Sequence, residues 1–472
     1  MAPSTAAVAA DQGALGPAAF RRSPFVAAAV DADEALARAR AWAARAVPEA
    51  RIDGVRVGSL LYRPDGGCTL RYDVRLSPSG QDQILLVEVP PTGTGIVVRP
   101  FPDDPALPTL PLALDPVSMR QVLGRMIPGT GGERGIGHCS VDVVRYPRRG
   151  RCVLRYRLSP DIAGGRGGLR HPEVFGKVYA DDTAAVASSA ARVLRAGLRS
   201  MPDGHKPHVP RPLGVVASLR LGLAEAVAGR PRLPELLKAA CATQGLPRVS
   251  ESAELFDAVV AAARMAAAVH TCPPGRTPLP ARDLPGERAA TDAELALLEP
   301  VWPDVADRLR QGLDHALRAP VEYTGRAAPG WPVSRGVAHG DFTPGQVLLD
   351  DNGRSALVDV DTLCLAEPAL DLGRFLAYLH VAAARRSRAA WPLVGDLTVH
   401  FLESYIDARA ATGATAPGIG ARRLLWARAA KFRALVLARI GASACWQLKD
   451  DRLRAVVDVM DAGNDWIRTV AG

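Results

Sequence analysis

The chain has 472 residues, 48% hydrophobic and 23% charged, with 58 Lys and Arg against 49 Asp and Glu for a formal charge of +9. Such a length is too great for one core and predicts two to four domains, each large enough to fold without staples. Only five of the basic residues are lysine, and the arginines are spread along every segment with no basic run interleaved with aromatics, so a solvated arginine-rich surface is expected and a nucleic-acid partner is not.

Residues 1–48 read as a small-residue tail followed by one appended helix over about 33–47, dominated by alanine and arginine. No basic region precedes an apolar stretch, and Asp11 falls where a signal core would lie, so secretion is not supported. No run approaches membrane-spanning length without charge; the most apolar helical stretch, 258–270, is interrupted by Arg264. A soluble cytoplasmic protein with no membrane partner is the expectation.

From Arg51 the pattern turns to β. Val55, Val57, Leu60 and Tyr62 alternate, and Leu70, Tyr72, Val74 and Leu76 alternate beyond a turn at 64–67, which predicts an antiparallel sheet. The unit then recurs: Tyr62-Arg63-Pro64 leads to Cys68-Thr69-Leu70-Arg71-Tyr72, and Tyr146-Pro147-Arg148 leads to Cys152-Val153-Leu154-Arg155-Tyr156. Both copies reach Leu-Ser-Pro soon afterwards, so the pattern fits either an internal repeat or two similar β-meanders. A proline-rich segment, 90–116, and a glycine-rich one, 128–137, separate them, the second marking a domain boundary.

The next strand differs between the copies. The first has Leu85-Leu86-Val87-Glu88-Val89; the second has Val174-Phe175-Gly176-Lys177-Val178-Tyr179, with a lysine inside an apolar strand of a lysine-poor chain. An edge-strand lysine reaching to water is the plain reading. Walker-type phosphate binding is excluded, because Gly176-Lys177 lacks both the upstream glycine and the following Ser or Thr. A helix over 183–198 follows and contains no acid, and 213–227 reads as strands ending at Glu225-Ala226-Val227. Beyond Leu233 the pattern is helical, with helices over 252–270, 293–317, 372–384, 397–411, 421–448 and 451–470.

Set among these helices is the segment that specifies chemistry: His339-Gly340-Asp341-Phe342-Thr343-Pro344-Gly345-Gln346, then two apolar runs around Asn352-Gly353, then Asp359-Val360-Asp361. Asn-Gly between apolar runs predicts a hairpin, because both residues tolerate positive φ. A two-residue turn there would pair Leu349 with Ala356, Val347 with Val358 and Gln346 with Asp359. Directly opposed residues sit roughly 4.5 to 5.5 Å apart, close enough for an amide oxygen and a carboxylate to share a hard divalent cation such as magnesium. Asp341, on the loop entering the first strand, then stands beside the metal, free to accept the proton of an attacking hydroxyl. The seven scattered cysteines contain no Cys-x-x-Cys pair and read as reduced thiols, and the histidines show no zinc spacing; His205 and His208 flank Lys206-Pro207 in a loop-like run.

On this motif the chain resembles the aminoglycoside phosphotransferase and choline kinase-like family, with the protein-kinase-like fold. The usual pattern has Asn where this chain has Gln346, and Gly345-Gln346 is similar to the Gly-Gln variant of maltokinases. The resemblance implies an α+β, bilobal architecture: an antiparallel β N-lobe and a helical C-lobe, with an additional N-terminal β-containing domain. It divides the chain into an extension (1–48), a cap-like α+β domain (49–135), a nucleotide-binding lobe and hinge (136–232) and a helical lobe (233–472). Asp341 would be the catalytic base, Gln346 and Asp359 the magnesium ligands, and Asp361 a helper for a second ion. Lys177 would pair with ATP phosphates, under a turn at 147–151, and the backbone near Glu225 and Val227 would meet adenine. The family's helix glutamate is missing, so Asp181 or Asp182 substitutes or nucleotide alone holds Lys177. His339 would order the loop, and Asp371 would cap its helix and brace the catalytic loop.

The resulting expectation is an ATP- and magnesium-dependent phosphotransferase acting on a hydroxyl of a small molecule. An aminoglycoside would want an acidic pocket, yet residues 381–472 carry fourteen Lys or Arg against eight Asp or Glu, which keeps a neutral sugar or other hydroxylated metabolite in contention. The alternative is a non-catalytic kinase-like binding module. Nothing in the sequence fixes the oligomeric state.

Overall fold

The computed structural model describes residues 24–63, 65–127, 136–146, 150–160, 172–199, 201, 207–242, 249–275, 278–318, 334–387, 390–412 and 417–463. The greater part of the turn at 147–151, most of the glycine-rich segment 128–137, His205 and Lys206 lie outside them. By contacts the described chain falls into two compact units, neither continuous in sequence: one from 1–104, 285–319 and 434–463, the other from 105–284 and 320–433.

The first unit starts with α1 (Pro24–Val30) and α2 (Ala32–Ala46). Asp31 begins α2 because its carboxylate accepts the free amides of Asp33 and Glu34 at 3.0 and 3.1 Å. Ala35, Ala39, Trp42 and Ala43 recur at helical spacing and are buried. Strands β1 (Arg51–Tyr62), β2 (Cys68–Ser77), β3 (Asp82–Val89) and β4 (Val97–Pro100) form an antiparallel meander in that order. Leu70, Tyr72, Val74 and Leu76 alternate into its core as the sequence predicts, and the Tyr72 hydroxyl donates to Ala29 O at 2.6 Å. The proline-rich stretch is thus not merely a linker, since it contributes β4.

The second unit repeats this plan. After α3 (Leu110–Leu114) and α4 (Pro116–Met126) come β5 (Ile136–Arg145), β6 (Arg151–Pro160) and β7 (Glu173–Tyr179). Asp115 caps α4 as Asp31 caps α2. The Tyr156 hydroxyl donates to Ala113 O, reaching back 43 residues as Tyr72 does to Ala29. The β1–β2 and β5–β6 ladders share one register over their first halves, Ile52 with Leu76 and Ile136 with Pro160, and both are bulged immediately after those pairs. A chance resemblance of two meanders does not reproduce a cap, a buried tyrosine bond and a bulge at one constant offset, so the two segments are an internal repeat. The copies part after the third strand. Cys68 pairs with Val89 and Cys152 with Val178, so Glu88 occupies the strand position that Lys177 holds in the second copy. There α5 (Thr183–Arg199), β8 (Pro212–Val216) and β9 (Leu221–Glu225) follow, completing a five-stranded antiparallel sheet in the order β5-β6-β7-β9-β8.

Helices then dominate: α6 (Arg232–Ala242), α7 (Val249–Thr271), α8 (Leu284–Ala296) and α9 (Pro303–Arg318). The single helix expected over 293–317 is broken in two; Pro303 has no amide hydrogen to continue an earlier helix and instead starts α9. Short strands β10 (Gly336–Ala338), β11 (Val347–Leu349), β12 (Ser355–Leu357) and β13 (Cys364–Ala366) carry the motif, with β10 pairing β13 and β11 pairing β12. Then come α10 (Ala369–Ala384), α11 (Trp391–Ala411), α12 (Ile419–Trp446) and α13 (Asp450–Asp461). In the second unit Phe375 of α10 stacks on Phe401 of α11 with ring centroids 4.0 Å apart. In the first, Trp446 meets Trp302 edge-on and stacks with Tyr62, while Arg439 pairs with Glu287 at 2.9 Å. No helix of the described residues is long and apolar enough to cross a membrane.

Candidate active site

All the residues singled out in the motif lie in the second unit. Strand β10 delivers the chain to His339, and Gly340 turns it at φ +78°; a Cβ there would stand 2.2 Å from Thr362 O, so no other residue fits. Asp371, on the first turn of α10, has a fully buried side chain and accepts the amides of His339 at 2.7 Å and Gly340 at 2.8 Å. The expectation that it caps its own helix is corrected: its oxygens are turned onto the loop and onto His270 Nε2 at 3.0 Å. Burial opposes its charge, yet the His270 and His339 bonds hold its carboxyl below the usual range. Since Asp371 only accepts, His270 carries its proton on Nε2, and its Nδ1 accepts the Tyr405 hydroxyl at 2.9 Å. His339 Nε2 faces Val358 O at 3.1 Å while Nδ1 receives the Asp341 amide at 3.3 Å. With both ring nitrogens engaged in the backbone, the imidazole orders the loop.

The hairpin forms, but not in the register expected. Val347 pairs with Leu357, Leu348 with Ala356 and Leu349 with Ser355. Asp350 causes the slip: its Oδ1 accepts from Asn352 N and Arg354 N at 2.9 Å each, its own amide donates to Arg354 O, and Gly353 takes φ +74°. A three-residue loop results. Gln346 therefore faces Val358, whose amide donates to Gln346 O at 3.1 Å, and not Asp359. The Gln346 side chain folds back on the loop, its oxygen accepting from Thr343 N and its nitrogen donating to Asp341 Oδ2, both at 2.9 Å. The other oxygen of Asp341 is gripped by Arg374 of α10 through Nε at 2.6 Å and NH2 at 2.5 Å.

Asp359, in the left-handed region at φ 63°, and Asp361 converge on Lys177 of β7. The ammonium donates to Asp359 Oδ1 at 2.7 Å and to Asp361 Oδ2 at 2.9 Å, and the Tyr179 hydroxyl donates to the same Asp361 oxygen at 2.6 Å. Arg151 adds a second cation, 3.5 Å from Asp359 and 3.8 Å from Asp361. Burial opposes every charge here, but the Lys177 and Arg151 cations hold the Asp359 carboxyl well below its ordinary range, and the two carboxylates hold Lys177 above its own. Burial and the adjacent Asp361 charge push the Tyr179 phenol far up. These acids are therefore the partners of Lys177 in this structure. Asp181, one expected substitute for the absent glutamate, instead bonds the Thr183 amide at the start of α5.

A cavity of about 360 Å³ opens beside the group, lined by Lys177, Tyr179, Asp359 and Asp361 on its polar side and by Phe175, Leu348 and residues of α5 and β9 elsewhere. Glu225 and Val227 also line it. The Glu225 amide is committed to Arg211 O at 3.0 Å, because the segment leading to β8 runs along it, so that amide does not serve as an adenine donor. The Glu225 carboxylate accepts the Arg211 amide at 2.8 Å and is ringed by Arg195, His208 and Arg211. Sequence reasoning missed Arg374, Tyr179 and His270. Tyr179 shares the strand face of Lys177 at period two, which was a usable signal; Arg374 was, with Asp371, one of two charges in a largely apolar helix; His270 carried none.

Residues 176–416, more than half of the chain, match the phosphotransferase enzyme family, and the chain belongs to that family. Its fold is α+β, antiparallel sheets set among many helices, with a further N-terminal β-containing part. Among solved structures it is similar to a choline kinase from Cryptosporidium parvum Iowa II, at 11% identity over 75% of this chain and 95% of that one, with a TM-score of 0.47. A choline/ethanolamine kinase family protein from Mesorhizobium loti is similar at 16% identity over 75% and 97%, with a TM-score of 0.43. A glucosamine kinase is similar at 18% identity over 89% and 97%, with a TM-score of 0.41. No curated protein matches the sequence.

Proposed function

We propose that this protein transfers the γ-phosphoryl group of ATP to a hydroxyl of a small molecule, with Asp341 orienting and deprotonating that hydroxyl. The observation that carries the reading is the convergence of Lys177, Asp359 and Asp361 on one wall of a largely apolar cavity, an arrangement suited to nucleotide phosphates. The donor set there suits magnesium. Lys177 engages Asp359 only through Oδ1, and Lys177 and Tyr179 engage Asp361 only through Oδ2, so one oxygen of each carboxylate remains for a hard cation. Among the described residues no group of three His, Cys, Asp or Glu side chains could hold a metal, and the Gln346 oxygen expected as a ligand is turned to the Thr343 amide, so the chain would offer the ion Asp359 and Asp361, with the substrate's phosphates beside them. When bound there, the ion would neutralise charge on the phosphate oxygens.

The chain's own contribution is positional. Lys177 supplies a cation at the phosphates, the apolar walls exclude water from them, and the Asp371 brace fixes the loop that presents Asp341. The acceptor is proposed to be a sugar or other neutral polyol ahead of a polycationic aminoglycoside, on the basic balance of residues 381–472. A second reading, a nucleotide-binding module without turnover, is favoured by one observation: α5 contains no acid to draw Lys177 away from Asp359 and Asp361.

The test is ATP turnover by purified protein across a panel of simple sugars, aminoglycosides and other antibiotics. The enzyme reading expects magnesium-dependent transfer that Asp341→Ala lowers by roughly 10²–10⁴-fold. Nucleotide binding with no transfer to any acceptor would leave the module.

A further inference from the structure

The surroundings of Asp341 can be counted lone pair by lone pair. An ionised carboxylate has about four acceptor sites, two on each oxygen. The guanidinium edge of Arg374 straddles Oδ1, with Nε at 2.6 Å and NH2 at 2.5 Å from that one atom. Gln346 Nε2 takes one site of Oδ2 at 2.9 Å. One site is left, and it is on Oδ2. The carboxylate cannot turn about its last torsion without breaking a charge-assisted bond, since its two oxygens are gripped from opposite directions by α10 and by the start of β11. Arg374 is itself fixed. Its side chain is only 18% exposed, and although burial opposes its charge, Asp341 holds its pKa above the ordinary arginine value. Its neighbours on α10 are Gly373 and Phe375, both buried, and Phe375 is stacked on Phe401.

We infer that Arg374 is a positioning residue for the transfer, locking Asp341 so that Oδ2 alone is presented to the acceptor hydroxyl. The inference rests on the reading of Asp341 as the base. In the step it serves, the acceptor oxygen forms a bond to the γ-phosphorus as the bond from phosphorus to the β-bridging oxygen breaks. The hydroxyl proton passes to Asp341 Oδ2, and ADP leaves with the bridging electrons. Gln346 contributes to the same lock, because it donates to Oδ2 while its own oxygen is set by the Thr343 amide, which keeps the remaining Oδ2 site in place.

Two substitutions separate geometry from charge. Arg374→Gln removes both; Arg374→Lys keeps a cation but replaces the two-nitrogen edge with a point donor. The full-length chain is assayed with magnesium and ATP, on water as acceptor and on any acceptor the panel yields. Arg374→Gln is expected to lower kcat by about 100-fold or more, with the KM for ATP within about twofold. Arg374→Lys, which keeps the cation but not the two-nitrogen edge, is expected to lose kcat as well with the KM for ATP again within about twofold, a split that a residue holding only the fold would not produce. Wild-type kcat in Arg374→Gln would overturn the assignment, as would a loss of activity carried by the KM for ATP with kcat unchanged. If Arg374→Gln does not fold, Arg374→Lys decides alone on its loss of kcat. If the wild-type chain turns over nothing, the reading of Asp341 falls. The lock is then judged from the unfolding of Arg374→Lys, Asp341→Asn and the double variant: coupling supports it and strict additivity overturns it.

Discussion

Asp371→Asn is the sharpest probe of how the loop carrying Asp341 is held. The wild-type carboxylate is fully buried and accepts three bonds, from His339 N at 2.7 Å, Gly340 N at 2.8 Å and His270 Nε2 at 3.0 Å. Asparagine offers one acceptor oxygen in nearly the same shape, and its amide nitrogen must then face a donor. At least one charge-assisted bond, worth about 1.5–3 kcal/mol, is lost, and a buried N–H is left unsatisfied at a further 1–3 kcal/mol or so. The substitution is therefore expected to destabilise by about 3–5 kcal/mol, in line with the roughly 3–5 kcal/mol for breaking a buried ionic pair. Denaturant titration of wild type and variant, with nucleotide absent, reads this directly. Because the loop carrying Asp341 hangs on these bonds, turnover should fall roughly 100-fold even at temperatures where the variant remains folded. A stability within about 1 kcal/mol of wild type, the size of one neutral hydrogen bond, would refute the brace.

Two further outcomes follow from buried polar groups. Tyr72→Phe and Tyr156→Phe each remove the hydroxyl that serves a buried carbonyl at the same point of the repeat, and each should lower stability by about 1–2 kcal/mol in denaturant titration; a cost at only one site would show that the two copies are not equivalent in their packing. Acid should also unfold the second unit early. His380 is buried against Arg433, burial first and then that neighbour's charge depressing its pKa well below 6.5. A depressed pKa means that stability is whole above the unfolded value and is lost as pH falls below about 6.5. Melting temperatures measured from pH 7.5 to 5 should decline along that range, and a flat profile would contradict a neutral buried ring.

Much of the site was legible in the sequence because it is local. A His-Gly-Asp loop, a short hairpin and a pair of acids two residues apart are set within about twenty positions, and turn chemistry alone brings them near one another. The hairpin register was the exception. Asn352-Gly353 signals a two-residue turn, but the Asp350 side chain captures two amides and enlarges it, and a single extra residue was enough to take Gln346 away from Asp359. Competition between a side chain and the backbone for the same donors is a small energy difference that composition does not rank.

The sequence by itself determined the class of chemistry, the alternating core of both sheets and the similarity of the two β-units, since each follows from residue type at short spacing. Tertiary structure alone decided that the similarity is a true repeat, because caps, tyrosine bonds and bulges must be compared in place. It also decided that Lys177 meets Asp359 and Asp361, and that Asp341 is gripped by Arg374. Those partners lie 182, 184 and 33 residues apart along the chain. Buried charges take whichever opposite charge the packing brings within reach, and that packing is fixed by the many apolar contacts of β7, α10 and α11, a cooperative outcome that no short stretch of sequence encodes.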